Sequence, residues 1–191
     1  MLESIGALEL TSIGLGLAAQ DAMLKAADVQ VVLARTICSG KYLIAVTGRV
    51  ADVTASVDAG IEAIPDGLID HAVIPQIHPA VFKALGQSVE LELTPRGERE
   101  AAAKALGVVE TFSGVSVLEA ADAAAKAARV TLLRIHLAMA LGGKGYLLMA
   151  GSVPDVQAAV EAGAAVARHK GLLVSAVTIA GPSRELYAEY I

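Results

Sequence analysis

The chain says most things twice. Gly6-Ala7-Leu8-Glu9 returns as Gly107-Val108-Val109-Glu110, and Asp21-Ala22-Met23-Leu24-Lys25-Ala26-Ala27 returns as Asp122-Ala123-Ala124-Ala125-Lys126-Ala127-Ala128, each 101 residues further on. Gly40-Lys41 returns as Gly143-Lys144, and Gly48-Arg49-Val50-Ala51-Asp52-Val53 as Gly151-Ser152-Val153-Pro154-Asp155-Val156. Val57-Asp58-Ala59-Gly60 returns as Val160-Glu161-Ala162-Gly163, and for these later motifs the shift is 103, so the second copy gains two residues before its hairpin. A set of motifs kept in order at a near-constant shift means that both halves build the same unit. Two copies are too few for a solenoid, which needs three or more.

One copy supplies the unit. Residues 4–10 have strand character, with Glu9 intruding as a charge. Thr11 or Ser12 is placed to cap a helix over 13–27. Two short apolar runs, within 29–37 and 41–46, flank a Ser39-Gly40 turn and predict a hairpin with Cys38 at its tip. Val53, Val57 and Ile61 form one stripe of a second helix over 52–63, ended by Pro65-Asp66-Gly67. A strand follows over 68–77, in which Pro75 predicts a bulge or an edge position. His78-Pro79 then opens a short helix over 80–85. In the second copy Ser152 and Pro154 mark a helix start, and Gly171 follows its end. The expected organisation is a first domain at 4–86, a charged linker at 87–104 and a second domain at 105–188. Each domain is a βαββαβ unit of the α+β class, with helices on one face of an antiparallel sheet.

Composition narrows the function. The net charge of −5 argues against nucleic acid as a partner, because that affinity depends on lysine and arginine neutralising phosphates. Apolar residues make up 55 % of the chain and aromatics 3 %, which suits thin layers of small side chains better than a deep aromatic pocket. The mean hydropathy of +0.60 exceeds what a soluble monomer needs, so a buried subunit interface is expected. Met1-Leu2-Glu3 is acidic where a signal peptide is basic, and no apolar stretch has the length of a membrane span. The expectation is a cytoplasmic protein without membrane contact. One cysteine excludes an intrachain disulfide and a CxxC motif, and fits a reducing compartment. Gly14-x-Gly16 and Gly142-Gly143 lack the strand–turn–helix context of a phosphate loop. Glu9 and Glu110 are copies of one structural position rather than an acid–base pair, and the four histidines show no ligand spacing. No catalytic residues are expected.

The duplicated pattern resembles the bacterial microcompartment shell domain: Gly-x-x-Glu, then Asp-x-x-x-Lys-Ala-Ala, then Gly-Lys in a hairpin, then Gly-x-Val-x-Asp-Val with Ala-Gly downstream. Within that family, Thr36-Ile37-Cys38-Ser39-Gly40-Lys41 and Ile77-His78-Pro79 are similar to the iron–sulfur shell proteins of propanediol-utilisation compartments. The resemblance implies two tandem ferredoxin-like domains, three chains per pseudo-hexameric tile, and tiles packed edge to edge into a shell within the bacterial cytoplasm. It implies a central pore lined by Cys38, Ser39, Gly40, Leu141, Gly142 and Gly143. It further implies one 4Fe–4S cluster per homotrimer, ligated by Cys38 of each chain, for electron transfer across the shell, with a redox enzyme in the lumen as a partner. Lys25, Lys126 and Arg184 would make tile-edge contacts with other shell proteins; the bland reading of the two lysines is an i, i+4 pair with Asp21 and Asp122.

Symmetry agrees with the cluster. A 4Fe–4S cluster normally takes four thiolates, one chain offers one, and a closed threefold assembly converts one into three. The fourth iron then needs water, a small thiol or substrate. Sulfur on an axis also suits Zn²⁺ or Cu(I). Arg35 and Lys41 flank the turn and would offset negative charge if they point to the axis. Two alternatives stay open: a metabolite-conducting pore without a cluster, and a trimeric ligand-sensing regulator of ferredoxin-like fold.

Overall fold

The computed structural model describes residues 4–64, 66–86, 104–139, 141–183 and 185–186. Most of the expected linker, 87–103, therefore lies outside the described residues, as do Pro65 and Arg184. The first half runs β1 (Ser4–Leu10), α1 (Ile13–Ala26), β2 (Gln30–Ile37), β3 (Lys41–Gly48), α2 (Val50–Glu62), β4 (Leu68–Ile74) and α3 (Pro79–Gly86). The second runs β5 (Ala105–Thr111), α4 (Gly114–Ala127), β6 (Thr131–His136), β7 (Gly145–Gly151), α5 (Val153–His169) and β8 (Leu173–Ala180). Each half forms a four-stranded antiparallel sheet, in the orders β2-β3-β1-β4 and β6-β7-β5-β8. These are the two βαββαβ units expected from the repeat.

The repeated glycines follow from close packing. Gly6 on β1 faces α2, where a Cβ would stand 2.7 Å from Val53 and 2.6 Å from Val57. Gly107 meets Val156 and Val160 in the same way, at 2.8 and 2.7 Å. The core of the first half is built from Leu8, Leu10, Ala19, Met23, Ile44, Val46 and Val57, with Tyr42 as its single aromatic. Small residues let helix and sheet approach closely, so little aromatic volume is needed.

Local signals set the boundaries. Ser12 caps α1, its Oγ accepting from Leu15 N at 3.5 Å. Ser152 caps α5, Pro154 sits in its first turn, and Gly171 follows it with φ 71°. Most expected bounds shift by a residue or two, β3 running to Gly48 rather than 46, and two of the shifts have a local cause. α2 begins at Val50 rather than 52, because Arg49 precedes it in extended conformation and clasps Asp52 across the first turn, Nε to Oδ2 at 2.5 Å. β4 ends at Ile74 rather than 77: Pro75 has no N–H for a ladder, and Gln76 turns the chain with φ 51°. β4 is an edge strand, one of the two positions Pro75 allowed, and it also carries a bulge at Ile69, because Glu9 pairs with Asp70 and the next residue, Leu10, with Leu68.

The sequence repeat and the compact units are cut differently. One unit comprises residues 1–77, 113–116 and 137–144; the other comprises 78–112, 117–136 and 145–191. In the second unit α3 packs on β6, with Val81 and Ala84 buried. In the first, the start of α4 and the loop after β6 join β1–β4.

Candidate functional site

The first hairpin closes tightly. β2 and β3 pair as far as Ile37↔Lys41, and Cys38, Ser39 and Gly40 make a single 3-10 turn between them. Ser39 and Gly40 take φ of 65° and 73°. Gly40 adopts this region without penalty, whereas Ser39 carries a strain of about 1–2 kcal/mol. Cys38 is at the tip, as expected, but half-buried rather than open, while Ser39 and Gly40 are exposed.

The second hairpin ends in a longer loop. β6 and β7 pair as far as His136↔Tyr146, whose rings stack with centroids 5.2 Å apart. Beyond that pair Ala138, Gly142 and Gly143 take φ of 51°, 62° and 85°. Met139 and Leu141 are exposed, Gly142 is exposed and Gly143 is buried. The two turns touch. Cys38 N donates to Ala138 O at 3.0 Å, and a Cβ on Gly143 would stand 3.2 Å from Lys41 Nζ.

Beneath the turns lies an ionic network that the sequence reading did not assemble. Glu9 is fully buried and accepts from Lys41 Nζ at 3.0 Å and from Gly114 N, at the start of α4, at 2.6 Å. Asp70 is also buried and accepts from Ser113 Oγ at 2.6 Å and Ser116 Oγ at 2.7 Å. Ser113 Oγ accepts in turn from Val115 N and Ser116 N. Two carboxylates therefore sit at the N-terminus of α4, where the helix dipole favours negative charge. Glu9 and Glu110 are structural, as expected; Glu110 accepts from Ser175 Oγ at 3.2 Å. Lys41 is turned toward Glu9, so of the two flanking cations Arg35 alone keeps an exposed side. The signal was present in the sequence, since an acidic Gly-x-x-Glu and a basic Gly-Lys are each duplicated, but nothing local tied the two together.

Both i, i+4 pairs form. Lys25 Nζ lies 2.5 Å from Asp21 and Lys126 Nζ lies 2.6 Å from Asp122. The first pair is solvent-exposed; in the second, Asp122 is nearly buried and also accepts from His78 N at 2.7 Å. His78 Nδ1 accepts from Ala80 N, so this histidine is the turn residue that opens α3. Arg184, the third expected edge residue, lies outside the described residues.

Among the described residues no three His, Cys, Asp or Glu side chains of one chain gather around a point where an ion could sit. A cysteine thiolate at a turn apex is chemically suited to iron–sulfur ligation. Its number is not, within one chain, so the donor set fits a cluster only as a site shared between copies.

The architecture is that of a known class. The BMC domain matches residues 4–77 and again 105–182, so the chain belongs to the family of bacterial microcompartment shell proteins, in its tandem-domain form. It is 40 % identical over 191 residues to the bacterial microcompartment shell protein PduT of Citrobacter freundii, spanning 100 % of this chain and 99 % of that one. A crystal structure of a microcompartment protein from Desulfitobacterium hafniense aligns with a TM-score of 0.82 at 40 % identity, over 98 % of this chain and 99 % of the other. The bacterial microcompartment shell protein EutM of Salmonella typhimurium is 41 % identical over 83 residues, 44 % of this chain and 84 % of its own length. Family membership makes the chain a structural component of a microcompartment shell in the bacterial cytoplasm, not an enzyme, and decides against the sensing-regulator alternative. No helix among the described residues is long and apolar enough to cross a membrane.

Proposed function

We propose that three copies of the chain close into one shell tile, and that their Cys38 turns meet at its centre to hold one 4Fe–4S cluster that carries electrons across the shell. The observation that carries the site is the thiol at the apex of a turn whose own N–H is bound to the second turn.

Support for the ring comes from the unequal treatment of equivalent helices. The start of α4 is seated, with Gly114 N on Glu9, its Cα near Leu43, and Ser113 and Ser116 on Asp70. The start of α1 leaves Ile13 exposed, with Leu17 and Leu24 exposed along the same stripe. The second sheet repeats the seat: Glu110, Tyr146 and Ser175 occupy the register of Glu9, Leu43 and Asp70. A neighbour that lays its α1 on this second seat repeats the junction from chain to chain, and a head-to-tail contact of this kind generates a ring when its rotation closes. Three is the number that the family resemblance implies.

In that ring three Cys38 thiolates would hold the cluster, which supplies one-electron transfer when bound. The chain itself supplies the turn, the strand pairing that stiffens it and the exposed apolar Leu141 beside it. Lys25 and Lys126 face neighbouring tiles in this reading, and a redox enzyme in the lumen exchanges the electrons.

The test is anaerobic reconstitution with iron and sulfide. The expected product has three times the 19.4 kDa mass of the chain and one four-iron cluster per three chains. Cys38→Ser should lose iron and sulfide and keep the trimer. A monomer by light scattering at micromolar concentration overturns the tile. A full cluster in every chain, or iron retained by Cys38→Ser, overturns the shared site. A trimer that binds no cluster leaves the alternative of a plain metabolite pore. For the edge, Lys25→Ala or Lys126→Asp should leave the trimer intact and impair sheet assembly; normal sheets from both would remove the edge role.

A further inference from the structure

We infer that the Glu9–Lys41 pair and the bare Cα of Gly143 form a clasp that sets the position of the Cys38 thiol, with the thiol-free second turn serving as its support. The inference rests on the reading of Cys38 as the functional residue of the tip.

Lys41 stands three residues after Cys38 and is the first residue of β3. Its ammonium is drawn onto a carboxylate with no solvent exposure, 3.0 Å away. A buried carboxylate without a cation is costly, so the pair fixes where β3 begins and hence where the turn must close. Gly143 leaves the space this needs. Any side chain there would start 3.2 Å from the ammonium nitrogen, on a backbone with φ 85° that L residues rarely adopt. On the other side of the turn Cys38 N is held by Ala138 O, and Ala138 is itself kept at φ 51°. The Cys38 turn is thus bounded at both ends by the second turn and from beneath by Glu9. Ser39, held at φ 65° between these restraints, has a less strained conformation to relax into once either is released. Glu9, Lys41 and Gly143 are therefore positioning residues, and none of them is assigned to a ligand.

The test uses the full chain without cluster and reads the rate of Cys38 alkylation by iodoacetamide under native conditions, beside the thermal midpoint. Lys41→Met and Gly143→Ala should each speed alkylation by about threefold or more, because the half-buried thiol is released by local opening. Lys41→Arg, which keeps the cation, should stay closer to the parent rate. Glu161→Ala, which removes an exposed ion pair with Arg168 on α5, serves as the control and should leave the rate unchanged. Parent-like rates in both Lys41→Met and Gly143→Ala overturn the clasp, as does an equal acceleration in the Glu161→Ala control. Should Lys41→Met fail to fold, Gly143→Ala and Lys41→Arg decide alone. The outcome is separable from the cluster reading: altered alkylation in a protein that never binds iron keeps the clasp and removes the cluster, while a cluster that loads alongside unchanged alkylation does the reverse.

Discussion

Leu17 and Leu118 occupy the same position in the two copies, 101 residues apart, and meet opposite surroundings. Leu17 on α1 is 54 % exposed, and Leu118 on α4 is fully buried. The same contrast runs along both helices: α1 presents Ile13, Leu17 and Leu24 to solvent, whereas 113–118 is buried throughout. It continues into the turns, where Cys38 of the first copy is answered by Leu141 of the second. Duplication therefore preserved the fold and released the surroundings. One copy keeps an open apolar face and the thiol, while the other supplies a covered helix and a turn without sulfur. Two identical copies would carry neither this one-sided apolar face nor a single thiol per chain.

Breaking that contrast in the core should have the largest effect. Leu118→Ala is expected to cost about 2–5 kcal/mol in unfolding free energy. Leu17→Ala should leave the dissociated chain within about 0.5 kcal/mol of the parent. Its effect should appear in assembly, as a fall in the fraction of the proposed trimer by light scattering at fixed concentration. Equal destabilisation by the two would mean that α1 and α4 are not differently placed.

The two glutamates come next. Glu9→Ala leaves Lys41 partly buried without its anion and Gly114 N without its acceptor, a loss of about 3 kcal/mol in denaturant unfolding. Glu110 is only half-buried, so Glu110→Ala should cost less, about 1 kcal/mol. The reverse order would show that the network beneath the first turn does not hold the molecule together.

The helix glycines sharpen the comparison further. A Cβ on Gly163 would meet the carbonyl oxygen of Ala120 at 2.9 Å, which is backbone and cannot yield. A Cβ on Gly60 would meet Met23 Cγ at 2.6 Å and Leu8 Cδ1 at 2.7 Å, side-chain atoms that can shift by rotamer change where a backbone carbonyl cannot. Gly163→Ala should therefore lower stability by about 2 kcal/mol, and Gly60→Ala by less. Thermal midpoints of the two variants, measured side by side, check this.

The lysine pairs should matter least to folding. Lys25→Ala removes an exposed i, i+4 pair of about 0.5 kcal/mol at most. Lys126→Ala should remain within about 1 kcal/mol, because Asp122 keeps the bond from His78 N. Thermal melts in low and high salt separate the two, since only the exposed Lys25 pair should lose its small difference on screening.

Much of this was legible in the residues. The near-constant shift predicted two similar units, the apolar runs and periodicities placed the strands and helices of the first copy, and Ser152 and Gly171 marked helix ends where they occur, while the cap left open between Thr11 and Ser12 fell to Ser12. Those signals are local, since a cap, a turn or a stripe is set by residues a few positions apart. The single cysteine and its place in a hairpin were equally local, and they already required any sulfur cluster to be shared between chains. The tertiary structure alone decided what lies under that hairpin. Glu9 meets Lys41 across 32 residues and Gly114 across 105, and Cys38 reaches Ala138 of the other copy. Such contacts follow from how sheets and helix ends approach one another, and no periodicity records that approach. The same holds for Leu17 and Leu118: equal residues in equal elements, told apart only by what the folded chain lays over one and leaves off the other.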